Sequence, residues 1–186
     1  MKTQSRRHPA AFTLIELMAV ITIIVILAGL VVGGLGYVNE KQAREKANIQ
    51  IALLSKALEE YKMDMGIYPP TDNKPGPFTA SGTSTSATLF KVLYLDGLQD
   101  TTKKIYVPEL DPVNSKQGWT TGTASTATKI TDPWGNEYCY RSAINAAGGE
   151  NAGTQNPDFD LWSMGKDGKT SDTLDHKDNR DDIRNF

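Results

Sequence analysis

The sequence predicts an α+β protein: one long N-terminal spine helix, apolar in its first half and amphipathic in its second, packed against a small antiparallel sheet. Three observations carry this. An apolar run extends from Phe12 to about Leu35, interrupted by Thr13, Glu16, Thr22 and a few glycines. From Tyr37 to Met65 apolar residues recur at helical spacing. Two late stretches, Glu137–Arg141 and Phe159–Ser163, alternate as strands do.

The apolar run is long enough to cross a bilayer, for which a helix needs roughly 20 residues. It exceeds the roughly 7–15-residue core of a secretory signal, and no clear Ala-x-Ala site follows it. Ser5-Arg6-Arg7 faintly suggests a twin-arginine signal, but Pro9 and the acid inside the run do not fit one. Lys2, Arg6 and Arg7 precede the run, which predicts a cytoplasmic N-terminus and an exported remainder. Hydropathy alone reads as an uncleaved single-span anchor. Glu16 does not belong to that reading, because an ionisable group at bilayer depth costs about 2.5–3.5 kcal/mol on insertion scales and marks function by default.

The glycines at 29, 33, 34 and 36 loosen the end of this half, each interior Gly costing about 0.8–1 kcal/mol relative to Ala. Close packing of helices in lipid explains them too; a soft point that stretches on assembly is the preferred expectation. Ala43, Ala47, Leu54, Leu58, Tyr61 and Met65 then form one stripe, with Lys41, Arg44, Glu45, Lys56, Glu59 and Lys62 opposite. Glu40 and Arg44 are ordered for an i,i+4 pair. Gly66 fits the position just past the helix, and Tyr68-Pro69-Pro70 ends it.

Lys74–Ala87 and Thr120–Thr128, rich in Ser, Thr and Gly, read as loops. Between them Ala87–Leu98 suits a short second helix with Leu89, Val92, Leu93 and Leu95 on one face. Asp132-Pro133 and Gly135-Asn136 signal a turn into the first strand. Phe159, Leu161 and Ser163 share a face of the second strand, and the two strands pair and pack on the spine. The single cysteine, Cys139, allows no intrachain disulfide and reads as a small buried hydrophobe.

Composition excludes several function classes. The chain has 20 basic and 22 acidic residues. Without Lys2, Arg6 and Arg7, 17 basic residues face 22 acidic ones, a balance of −5 that gives no general attraction to nucleic acid. No nucleophile motif, phosphate loop or Cys/His metal set is present, and His176 stands alone on an acidic loop, so an enzyme is not expected. That loop, Lys166–Phe186, carries Asp167, Asp172, Asp175, Asp178, Asp181 and Asp182. By composition it reads as a solvated tail balanced by Lys169, Lys177, Arg180 and Arg184. Dense hard carboxylates also suit calcium, although no EF-hand register exists here.

Ala11 followed by Phe12-Thr13-Leu14-Ile15-Glu16 resembles the class III signal of type IV pilins and type II secretion pseudopilins. The resemblance implies cleavage between Ala11 and Phe12 by a membrane prepilin peptidase and methylation of the new Phe12 amine. Ala11 stands where the family usually has Gly. Glu16 then acquires a role in assembly: its carboxylate meets the Phe12 amine of a neighbouring subunit and sets axial register. Breaking such a buried pair typically costs about 3–5 kcal/mol.

Three further stretches resemble the major type II pseudopilin: Tyr61–Asp72, Thr131–Arg141 with its Asp-Pro-Trp-Gly turn, and Phe159–Gly168 with its Phe-Asp-Leu-Trp-Ser-Met-Gly-Lys-Asp-Gly run. The resemblance implies a cleaved cytoplasmic leader (1–11), a transmembrane and filament-core helix (12–36) and a periplasmic head (37–186), with the amphipathic spine at 37–65 and sheet and metal loop at 131–186. It implies a structural calcium held by Asp167, Asp181 and Asp182 with the Met164 carbonyl, Asp175 or Asp178 substituting in a lengthened loop. It also implies a homopolymer working with minor pseudopilins, an inner-membrane platform and an outer-membrane secretin. A type IV pilin for adhesion, motility or DNA uptake is the alternative, and a membrane-tethered periplasmic binding module with an intact Ala11–Phe12 bond is a third.

Overall fold

The computed structural model describes residues 12–71, 85–114, 118–121, 129–151, 153–171 and 173–186, apart from the side chains of 31–35 and Thr121. The chain divides into two compact units, Met1–Lys41 and Gln42–Phe186. Helix α1 is Leu14–Met65.

In the first unit Leu14, Ile15, Ile21, Ile24, Leu27 and Leu30 are exposed. The hydroxyl of Thr22 donates to the Met18 carbonyl at 2.8 Å, so this polar group is satisfied within the helix. The backbone stays helical through Gly33 and Gly34. Among the described residues no helix is long and apolar enough to cross a membrane. The expected span runs into 31–35, whose side chains lie outside the described residues, as does the whole expected leader.

In the second unit the buried stripe of α1 is Ala47, Gln50, Ile51, Leu54, Ala57 and Leu58. Ala43 and Tyr61 are half-buried, and Met65, expected to continue the stripe, is 49% exposed. The helix ends at that residue. Gly66 follows with φ +81° and its N–H on the Lys62 carbonyl at 2.7 Å, a left-handed cap that turns the chain away before Met65 can be covered. Tyr68 folds back and donates to the Glu59 carboxylate at 2.9 Å.

Helix α2 (Thr85–Phe90), a π turn (Lys91–Leu95) and α3 (Asp96–Gln99) together occupy the predicted second helix. Leu89 and Leu93 are fully buried, while Val92 and Leu95 pack partly against the same core. α2 begins at Thr85, earlier than expected, and its first two residues tie to other segments: Thr85 Oγ1 accepts the Tyr140 N–H at 3.3 Å. The Ser86 hydroxyl donates to the Ile130 carbonyl at 2.8 Å and accepts the Ile130 N–H at 2.6 Å.

Strands β1 (Thr120–Thr121) and β2 (Lys129–Ile130) pair antiparallel, so the start of the predicted Thr120–Thr128 loop is a strand edge; residues 122–128 lie outside the described residues. The main sheet has the order β3 (Cys139–Ser142), β4 (Phe159–Ser163), β5 (Ile183–Arg184), all antiparallel. β3 is shifted from the predicted Glu137–Arg141; Glu137 instead makes an isolated bridge to Thr131. Its register pairs Cys139 with Trp162 and Ser142 with Phe159. β5 was not foreseen, because two residues are too short to alternate visibly.

Phe159, Leu161, Tyr138 and Tyr140 join Leu54, Leu58, Leu89 and Leu93 in one core cluster, which places the sheet on the Gln42–Met65 part of α1. The Tyr138 hydroxyl donates to Gln50 Oε1 at 2.7 Å inside that core. The opposite face of the sheet is covered by the C-terminal loop, with Trp162 Nε1 donating to Thr170 Oγ1 at 3.1 Å. Cys139 is fully buried, and burial pushes its thiol pKa well above the ordinary value.

Candidate functional site

At the N-terminal end, Ala11 lies outside the described residues and Phe12 is 85% exposed. Glu16 has a partner within its own chain. Its Oε2 accepts the Thr13 N–H at 2.9 Å and the Thr13 hydroxyl at 2.7 Å, while Thr13 Oγ1 accepts the Glu16 N–H at 3.3 Å. This is a capping box, with Thr13 just before the helix and Glu16 at its third position, each satisfying a donor that the first turn leaves open. The signal was present as Thr-x-x-Glu in Thr13–Glu16 and was overlooked beside the charge.

At the other end of the chain the predicted metal residues meet only in part. Gly165 has φ +62°, and a side chain there would run into the carbonyl and carboxylate of Asp181, so the turn after β4 is seated against the segment entering β5. The Asp167 N–H donates to Asp181 Oδ2 at 2.9 Å. The Asp167 carboxylate instead accepts the Lys169 N–H at 2.8 Å, closing its own turn. The Asp182 side chain is completely buried. Its Oδ2 accepts from Thr170 Oγ1 and from the Arg184 guanidinium, each at 3.0 Å, and its Oδ1 has no partner among the described residues. Burial raises the Asp182 carboxyl above the usual range, outweighing the hydrogen bonds from Arg184 and Thr170 that lower it.

A buried carboxylate oxygen without a donor is the feature that a hard cation relieves. Among the described residues no group of three or more His, Cys, Asp or Glu side chains is arranged to hold a metal. Calcium accepts backbone carbonyls and irregular geometry, so it is the cation for which two or three carboxylates and turn carbonyls would suffice. Asp167, through its other oxygen, Asp181 and Asp182 would hold it together with the Met164 carbonyl. Asp172 lies outside the described residues. Asp178 takes part elsewhere: its carboxylate lies 3.5 Å from His176 Nδ1. His176 accepts the Asp178 N–H at 3.3 Å, capping the short 3₁₀ turn Lys177–Asn179.

Sequence reasoning missed the residues that hold this loop. Asn179 is buried and takes the Ser171 N–H at 2.6 Å while donating to the carbonyls of Ser171 and Thr173 at 2.9 and 2.7 Å. Asp132, read only as a turn former, is a buried carboxylate. Its Oδ1 accepts the N–H groups of Trp134 and Asn136 at 3.0 and 2.8 Å, and its Oδ2 accepts the Ser163 hydroxyl. Burial raises its carboxyl too. Nothing in the local pattern separates Asp132 from an ordinary Asp-Pro turn, since its partner lies 31 residues away.

Two family descriptions match the chain: the prokaryotic N-terminal methylation motif over residues 6–32, and type II secretion system (T2SS), protein G over residues 104–185. Among the similar proteins, the type II secretion system core protein G of Vibrio cholerae is 32% identical over 163 residues, 88% of this chain and 84% of the relative. That of Escherichia coli is 31% identical over 175 residues, 94% and 89% of the two chains. That of Pseudomonas aeruginosa is 31% identical over 182 residues, 97% of each. Likeness of this extent, carried through both the N-terminal motif and the head, shows that the chain belongs to the type II secretion system core protein G family, the major pseudopilins.

Proposed function

We propose that this chain is the major structural subunit of a type II secretion pseudopilus. It is made as a precursor, cut between Ala11 and Phe12 by prepilin peptidase, methylated on Phe12, and held in the inner membrane by the apolar half of α1 with its head in the periplasm. It then polymerises with copies of itself, working with minor pseudopilins, an inner-membrane platform and the secretin to drive folded proteins across the outer membrane. Its role is mechanical and not enzymatic. The carrying observation is the similarity to core protein G over 97% of both chains in the Pseudomonas aeruginosa comparison. The type IV pilin alternative is not favoured, since the T2SS protein G match covers residues 104–185 of the head.

Calcium belongs to this proposal. The unpartnered Asp182 oxygen supports it. When bound, the ion supplies positive charge that draws the acidic 166–182 loop onto the outer face of the sheet, the role a disulfide cannot fill in a chain with one cysteine.

Two measurements test the reading. The intact mass of the membrane-extracted protein should correspond to a chain beginning at methylated Phe12; a full-length mass would leave a membrane-tethered module in its place. Deleting the chain from its host should strand secreted proteins in the periplasm. Intact secretion with loss of a surface fibre would make it a pilin.

A further inference from the structure

The Asp-Pro-Trp-Gly turn and the turn after β4 are far apart in sequence and joined in space. Asp132 Oδ2 accepts the Ser163 hydroxyl at 2.5 Å, and Ser163 Oγ in turn accepts the Gly165 N–H at 3.1 Å. Asn136, from the same Asp132 turn, donates its Nδ2 to the Gly165 carbonyl at 2.6 Å. Its side chain also lies against Gly168, where φ is +65°. Ser163 is fully buried and Asp132 nearly so.

The consequence follows from peptide geometry. A trans peptide is planar, with its C=O and N–H pointing to opposite sides, and the described chain contains no cis bond. The Gly165 N–H shares its peptide with the Met164 carbonyl. Anchoring that N–H on Ser163 therefore aims the Met164 oxygen away from Ser163. The next carbonyl, that of Gly165, already accepts a hydrogen bond from Asn136 and is turned towards it. One carbonyl of the turn is aimed away from Ser163, and its neighbour is engaged by Asn136.

We propose that Asp132, Ser163 and Asn136 are positioning residues for the calcium turn: they select the Met164 carbonyl over the Gly165 carbonyl as the backbone ligand. Asp132 fixes the hydroxyl rotor, because its carboxylate accepts the Ser163 proton and leaves the Ser163 lone pair for Gly165. This inference rests on the calcium reading above and extends it to residues that touch no metal. Outer partners of this kind typically change metal affinity about 10–100-fold.

The test uses the full-length protein in detergent. Calcium affinity is measured by titration calorimetry for wild type, Ser163→Ala and Asn136→Ala. Ser86→Ala is the control, since Ser86 is an equally buried hydroxyl bonded to Ile130. Terbium in place of calcium reports bound water through its luminescence lifetime. Ser163→Ala should bind calcium at least about 10-fold more weakly and carry one further water on terbium, while Ser86→Ala keeps both wild-type values. Asn136 is only half-buried, so Asn136→Ala gives the same reading should Ser163→Ala fail to fold. Wild-type affinity and water count in both turn variants would overturn the inference with calcium binding intact. Absence of calcium binding in the wild type would remove the calcium reading, and this inference with it.

Discussion

Asp182→Asn separates a metal loop from a merely acidic one. The carboxylate is fully buried, one oxygen has no partner among the described residues, and burial raises its pKa. In chelator, the folded state therefore binds a proton at Asp182 more readily than the unfolded state does. A raised carboxyl weakens the fold above its folded pKa, and this is relieved as pH falls towards the unfolded value of about 3.9. Without metal, Asp182→Asn should thus match or exceed wild type near neutral pH, and wild type should catch up as the pH drops into the carboxylate range. The comparison between the two proteins cancels the carboxyls of Asp100 and Asp111, which turn hydrogen bonds hold below their ordinary values. Calcium reverses the order. At 100 times Kd a ligand stabilises by about 2.7 kcal/mol, and for a chain of this size each kcal/mol moves Tm by about 2–4 °C. Wild type should gain roughly 5–11 °C in calcium at neutral pH. Asp182→Asn should gain little, and the wild-type gain should shrink as protons compete for the carboxylates. Melts are read by circular dichroism from neutral pH into the carboxylate range, with calcium or excess chelator. Equal calcium gains in both proteins, or superimposable melts of wild type with and without calcium, would refute the reasoning.

Three other outcomes are expected. Glu16→Gln preserves the capping box, since Gln serves at that position as well as Glu, but removes the charge; filaments sheared from cells should be lost in Glu16→Gln as fully as in Glu16→Ala, and normal filaments in Glu16→Gln would reduce Glu16 to a helix cap. Leu54→Ala, at a position with no exposure in the core, should cost about 2–5 kcal/mol in a denaturant titration of the soluble head. Tyr138→Phe leaves Gln50 Oε1 without its buried donor and should cost about 1–3 kcal/mol in the same titration, whereas a cost near zero would mean that Gln50 finds another partner.

The elements that the sequence made legible are those whose period outruns their length. The amphipathic part of α1 repeats its stripe over several turns, so one misassigned end, Met65, does not disturb the rest. β4 is five residues long and buried throughout, and Phe-Asp-Leu-Trp-Ser still alternates because its two faces bury different chemistry, aromatic and aliphatic on the helix side, Asp160 and Trp162 on the loop side. β1, β2 and β5 are two residues each, and no period can be read from two residues. The pairing of β5 with Trp162 and Ser163 is a tertiary fact, imposed by the turn at Gly165 and the seat of Asp181 against it.

The candidate sites divide along the same line. Phe12 to Glu16 is a contiguous signal, so the cap and the proposed assembly contact could both be read from five letters, and the Thr13 cap would not compete with that contact. A carboxylate has two oxygens and about four lone-pair sites; the two Thr13 bonds fall on Oε2. Cleavage would add a charge at Phe12 without removing the Thr13 N–H, so the same side chain can hold its own helix start and face an amine. The metal loop is the opposite case. Its acidic residues are conspicuous, yet Asp132, Ser163 and Asn136, which hydrogen-bond to one another or to the turn at Gly165, carry no acidic-loop signature and lie up to 49 positions from Asp181. Charge density announces a site in one dimension. The aim of a single carbonyl depends on hydrogen bonds that only the folded chain brings together, which is why the acidic residues stood out in the sequence and their hydrogen-bonding neighbours did not.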